Sequence, residues 1–173
     1  HIAISRDGTT TPILGEGYRE TMCGTISFYS KGGDRLHTIY TACAPEYGKE
    51  TFNQVLDMEI ERVKEQYPKV SYVGLADGSK DNWSYLNGHS SVQILDFYHA
   101  TEHLAQVSVV VKYTEAKRKE WLQQACHDLK HQSKGAANLL RELRHLRDHM
   151  SSAIPDIVHE TITYFENNQG RMQ

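Results

Sequence analysis

Three short runs rich in β-branched and aromatic residues, at positions 2–5, 21–30 and 35–42, are separated by glycine-bearing turns and predict three strands. Lys31, Gly32, Gly33 and Asp34 form a turn of the length and composition that joins antiparallel neighbours, so the second and third strands are expected to make a hairpin. The period then changes. Phe52, Val55, Leu56, Ile60, Val63 and Tyr67 fall at the three-and-four spacing of a helix with one buried face over 49–67, and Pro68 ends it. Residues 69–76 are compact and mostly apolar, which suits a buried strand reached by a parallel crossover, and 92–95 repeats the type. Between them, 79–86 reads as a small helix with Trp83 and Tyr85 available for packing. Residues 97–150 are almost free of Gly and Pro and carry Leu104, Val107 and Val111, then Trp121, Leu122, Ala125 and Leu129, then Leu139, Leu140, Leu143 and Leu146. These spacings predict two or three helices packed on one another, and 157–165 predicts one more. The expected fold class is therefore α/β, a mixed sheet flanked by helices with an all-helical region after the last strand.

Composition narrows the picture. At 173 residues, 39% hydrophobic and 24% charged, the chain can bury one ordinary core, and neither general disorder nor a fibrous repeat fits. A formal charge of −3 is too balanced to attract a polyanion in bulk, so any nucleic-acid contact must be local. The best place for it is 112–149, where nine Lys and Arg face five acids and four histidines add charge on mild acidification. Cys23, Cys43 and Cys126 are widely spaced and lack the paired spacing of zinc or redox motifs, which points to a reducing, cytoplasmic setting. No apolar run approaches the roughly 20 residues that span a bilayer, so no membrane is expected. The chain opens on His1 and stops at Gln173 without a capping signal, and is expected to be an excised or processed fragment.

Candidate chemistry starts with two carboxylates. The first apolar strand leads through Arg6 to Asp7 and Gly8, and the fourth leads straight into Asp77 and Gly78. Strand ends on one side of a sheet with helical crossovers line a crevice where ligands gather, so the two acids can converge although far apart in sequence. Converging Asp oxygens are hard ligands for Mg2+ or Mn2+, and a pair of such ions about 4 Å apart can drive phosphodiester chemistry. Asp-Gly is also a common turn dipeptide that needs no function, and Asp81 and Asp96 compete for the same predicted edge. Asp96 is placed to cap the following helix, on which His99 and His103 share a face. Three ligands there would suit zinc, but bonds to nearby carboxylates or phosphate, or packing in an interface, answer the same spacing. Arg141, Arg144 and Arg147 form a slanting basic stripe that either follows a phosphate backbone or simply faces solvent. The sequence contains neither a serine-nucleophile elbow nor a Gly-rich phosphate loop.

Several of these residues together carry a family likeness. Ala76-Asp77-Gly78 followed by Trp83, then Ile94-Leu95-Asp96-Phe97-Tyr98-His99-Ala100 with Glu102-His103-Leu104, resembles bacterial insertion-sequence transposases of the Kra type, in the DDE superfamily. The resemblance extends to Asp7-Gly8 with its Thr-rich continuation, to Gly24-Thr25, and to Asn167-Asn168-Gln169-Gly170-Arg171-Met172. It implies a ribonuclease-H-like core in which two aspartates and a glutamate hold magnesium ions for DNA strand cleavage and strand transfer. Asp7 matches the first acid and Asp77 the second; Asp96, His99 and His103 would support the site or contact substrate. The implied partners are transposon-end and target DNA, with a homo-oligomeric intact protein. The implied division is a partial catalytic core over 1–111 and a helical insertion over 112–173. The family's glutamate follows that insertion in a Gly-Ser-Gly setting that this chain lacks, and neither Glu160 nor Glu166 matches it. The fragment alone is accordingly expected to bind metal weakly and to be inactive; the alternative is an inactive remnant or helical interaction module on the same scaffold.

Overall fold

The computed structural model describes residues 1–111, 114–150 and 153–172. Among them are five strands and six α-helices in two compact units, His1–Ile94 and Leu95–Gln173. The strands are β1 (Ile2–Ile13), β2 (Gly17–Tyr29), β3 (Arg35–Cys43), β4 (Tyr72–Ala76) and β5 (Val92–Leu95). They form one mixed sheet in the order β3-β2-β1-β4-β5. β1 and β3 run antiparallel to β2, whereas β4 runs parallel to β1 in the register Ile2↔Tyr72 to Ser5↔Leu75. The parallel pair follows from the helical crossover that the change of period predicts, since β3 and β4 are joined by α1 (Gly48–Gln66).

Alternation along the strands sorts the side chains. Ile2, Ile4 and Arg6 of β1, Met22, Gly24 and Ile26 of β2, and Tyr72, Gly74 and Ala76 of β4 are all buried on one face. α1 covers that face with Phe52, Leu56, Ile60 and Val63. A Cβ on Gly24 would come within 2.9 Å of Leu56 and 3.2 Å of Phe52, so helix and sheet meet there with no space for a side chain. Full burial of Phe52 or Leu56 contributes about 1.5–3 kcal/mol each. α2 (Lys80–Asn87) lies on the same face over β4, where a Cβ on Gly74 would meet Leu86.

β1 is longer than its apolar run suggests. The Asp7-Gly8 pair does not end the strand: Asp7 stands opposite Cys23 and Gly8 opposite Met22, and pairing continues to Ile13↔Gly17. Thr9, Thr10 and Thr11 are β-branched and suit a pleated strand, but Thr9 and Thr10 are exposed and Thr11 is half-buried against Thr21 of β2, so no apolar alternation marks them. The hairpin thus runs on as a two-stranded ribbon beyond the level at which β3 and β4 stop.

The second unit holds α3 (Phe97–Val110), α4 (Glu115–His131), α5 (Gly135–Asp148) and α6 (Asp156–Asn168). α3 packs on α4 and α6, and α5 packs on the same two, which closes a four-helix cluster around Leu104, Val107, Leu139, Leu143, Val158, Ile162 and Phe165. The two units divide at Ile94 and Leu95, so α3 groups with the later helices rather than with the sheet. No helix among the described residues is long and apolar enough to cross a membrane.

Candidate functional site

Asp7 and Asp77 lie on neighbouring parallel chains. The parallel pairing ends at Ser5↔Leu75, so Asp7, still within β1, and Asp77, just past the end of β4, each stand two residues beyond the last paired positions. Asp7 is exposed, with its Oδ1 accepting from the Gly8 backbone N–H at 2.8 Å. Asp77 is half-buried, and its Oδ1 accepts from Ser79 N at 2.9 Å and from the Asn82 amide at 3.0 Å. Both donors belong to the start of α2, and Asn82 is 5% exposed. The Asp77 carboxylate is therefore oriented by the turn that follows it.

Asp81, the competitor for this edge, is engaged on the other side of β1. It accepts from Arg6 Nη2 at 2.9 Å and from Lys49 Nζ at 3.0 Å. Those cations, Lys49 foremost, hold its carboxyl below the usual carboxylate range. Arg6 itself is 1% exposed, also donates through Nη1 to the Asp81 carbonyl, and lies 4.8 Å over the Tyr85 ring. Tyr85 donates to Asp57 at 2.7 Å, with His89 3.1 Å from the same oxygen, and burial foremost pushes the Tyr85 hydroxyl far above its ordinary value. Sequence reasoning passed over Arg6 and Asn82. The signal for Arg6 was its place in the alternation Ile2, Ile4, Arg6, a cation at a core-facing position.

The remaining candidates belong to the helical unit. Asp96 caps α3, accepting from Tyr98 N at 2.7 Å, as its position predicts. His99 and His103 share a face but are engaged separately: His99 lies 3.5 Å from Glu102, and the His103 ring stacks on Tyr164 at 4.0 Å. The basic stripe is drawn into local pairs, Arg141 with Asn138, Arg144 with Glu166 and Arg147 with Asp148. Lys134, Arg141 and Arg144 line an open pocket of about 800 Å³ beside Glu166. Another pocket, of about 770 Å³, opens among Phe28, Leu36, Val63 and Tyr67 at the opposite end of β1 from Asp7, and its lining contains no pair of acids. Among the described residues no group of three His, Cys, Asp or Glu side chains is placed to hold a metal ion.

The His103 environment has a measurable consequence. Burial lowers its pKa below the ordinary 6.5, outweighing the upward pull of Glu160 and Glu102, and His99 adds to the lowering. The folded state therefore favours the neutral ring. This contribution to stability is present above pH 6.5 and is lost as pH falls through the folded value. His103→Phe, which keeps the stack and removes the proton, is expected to reduce the fall in Tm between pH 7.5 and 5.5 in a thermal melt.

Neither a family model, nor a curated protein, nor a solved structure matches this chain.

Proposed function

We propose that the chain is part of a ribonuclease-H-like catalytic core of a DDE transposase, with Asp7 and Asp77 as two of its metal-holding acids. One observation carries the reading: two carboxylates seventy positions apart in sequence each stand two residues beyond the last paired positions, Ser5 and Leu75, of adjacent parallel strands. The strand order, with the antiparallel hairpin on one side of β1 and the crossover strand on the other, supports the same reading. So do the sequence motifs at Asp77-Gly78 and Asp96-Phe97-Tyr98-His99.

The donor set is chemically consistent with Mg2+ or Mn2+, which take carboxylate oxygens and keep several waters. Divalent ions bound there would supply charge neutralisation at the scissile phosphate and activation of the attacking oxygen. The chain's own contribution is orientation. Asp7 is fixed on a continuous strand and by its Gly8 contact, and Asp77 is fixed by Ser79 N and Asn82, so both carboxylates present defined directions. Two aspartates make a weaker site than three acids, and strand cleavage and transfer on transposon-end and target DNA would need the family's glutamate as well. Lys134, Arg141 and Arg144, which line one pocket of the helical unit, are cations that could meet a phosphate backbone there, Arg144 by exchanging its Glu166 partner; that unit corresponds in this reading to the insertion.

The test is metal-directed cleavage of the protein itself. With Fe2+ in place of Mg2+ and ascorbate and peroxide added, the backbone should be cut near residues 7 and 77, and Asp77→Asn should reduce both cuts about tenfold. The lack of a three-acid group among the described residues favours a second reading, an inactive remnant with the sheet as scaffold. That reading predicts no localised cut, and equal cutting in Asp77→Asn removes Asp77 from the scheme.

A further inference from the structure

Arg6 directly precedes Asp7 in sequence, and Asn82, five residues after Asp77, is hydrogen-bonded to it. Arg6 precedes Asp7 on β1 but points to the helix-covered face, where its guanidinium grips Asp81 twice: Nη2 donates to the carboxylate Oδ2 at 2.9 Å and Nη1 to the backbone carbonyl at 3.3 Å. Asn82, the next residue of α2, donates to Asp77 Oδ1 at 3.0 Å. A continuous path therefore runs from the residue beside Asp7, through the first turn of α2, to the carboxylate of Asp77. Along it Arg6 is 1% and Asn82 5% exposed, whereas the Asp81 side chain is 57% exposed and Asp77 is half-buried.

As a stabilising device the arrangement is poor. Desolvating a guanidinium offsets most of what its ion pair returns, and Arg6 Nε has no hydrogen-bond partner among the described residues. What the planar fork does supply is geometry, since two donors on one residue fix both distance and angle where a point charge fixes distance alone. Lys49 Nζ, 3.0 Å from the same Asp81 oxygen, holds that carboxylate from the α1 side.

We propose that Arg6 and Asn82 are positioning residues for the acid pair, joining Asp7's strand to the turn that holds Asp77 so that this link sets the spacing of the two carboxylates. The inference rests on the acid-pair reading above. Partners of metal ligands typically change affinity by 10- to 100-fold when removed.

The experiment is a Mn2+ titration of the full chain, isotopically labelled and followed by NMR, reading paramagnetic broadening of the Gly8 and Gly78 amides. In the wild type both should broaden together at one Mn2+ concentration. Asp77→Asn should abolish selective broadening at Gly78 and weaken it at Gly8. Arg6→Met, which fills the buried space without the fork, and Asn82→Ala should each need about tenfold more Mn2+, with Gly8 and Gly78 no longer responding in step. If Arg6→Met does not fold, Asn82→Ala decides alone. Wild type without selective broadening, or Asp77→Asn indistinguishable from it, overturns the acid pair and the link with it. Loss in Asp77→Asn with wild-type behaviour in the folded link variants overturns the positioning role and leaves the acid pair standing.

Discussion

Alanine at position 135 is expected to destabilise the helical unit by about 3 kcal/mol or more, although the change adds one methyl group to a helix. Gly135 opens α5 and is buried against the end of α4, and a Cβ there would run into the Asp128 carbonyl and lie 3.0 Å from Leu129 Cα. Every obstructing atom is backbone, so no rotamer change relieves the overlap. The two helices must move apart, or the first turn of α5 must unwind, and the short connection from Gln132 to Lys134 leaves little slack for either. Helix propensity alone would favour alanine by about 1 kcal/mol, so the predicted sign is set by packing against propensity. Gly170→Ala is the control, because nothing lies within 4 Å of its Cβ position. Urea unfolding of the two variants should separate them clearly; equal midpoints would mean that α4 and α5 do not approach as described.

The buried ion pair leads to the second large effect, with an order that intuition reverses. Asp81→Ala removes a mostly exposed side chain, yet it strands the Arg6 guanidinium, which is 1% exposed, without its carboxylate. Removing one partner of a buried pair costs about 3–5 kcal/mol. Because 57% of the Asp81 side chain is in solvent, the expected loss is at the low end, about 3 kcal/mol. Arg6→Met takes away the buried charge itself and retains apolar bulk over Tyr85, so its loss should stay below about 1.5 kcal/mol. The double variant should resemble Arg6→Met, since no stranded charge remains. Chemical denaturation of all four proteins closes the cycle, and a double variant as unstable as the sum of its parts would rule out the coupling.

The sheet and the first two helices were legible because their periods are unambiguous. Phe52, Leu56, Ile60 and Val63 repeat at helical spacing and are all buried, and the apolar block that ends at Ala76 forms the parallel strand its position implies. The continuation of β1 was not legible, because Thr9 to Thr11 pair with β2 as a run of three polar residues and so carry no apolar alternation. At the candidate site, Asp7 and Asp77 could be picked out as acids next to apolar runs, and the parallel direction of their strands follows from the crossover. The link between them could not, since Arg6, Asp81 and Asn82 meet only once α2 has docked on the sheet. His99 and His103 show the reverse limitation. Their spacing is right for a shared ligand, but Glu102 and Tyr164 engage them one at a time, and the packing of Tyr164 of α6 against His103 is a tertiary contact that no local pattern reveals.

The overrun of β1 and β2 gives a single strand two mechanical characters. From Ile2 to Ser5 it is gripped on both flanks, by β2 and by β4, whereas from Gly8 onward β2 is its one neighbour. A two-stranded ribbon is marginal in water by itself. Asp7 stands at the boundary, two residues past the last position that β4 pairs and still opposite Cys23 of β2, so its hold on the sheet comes through the hairpin rather than from both flanks.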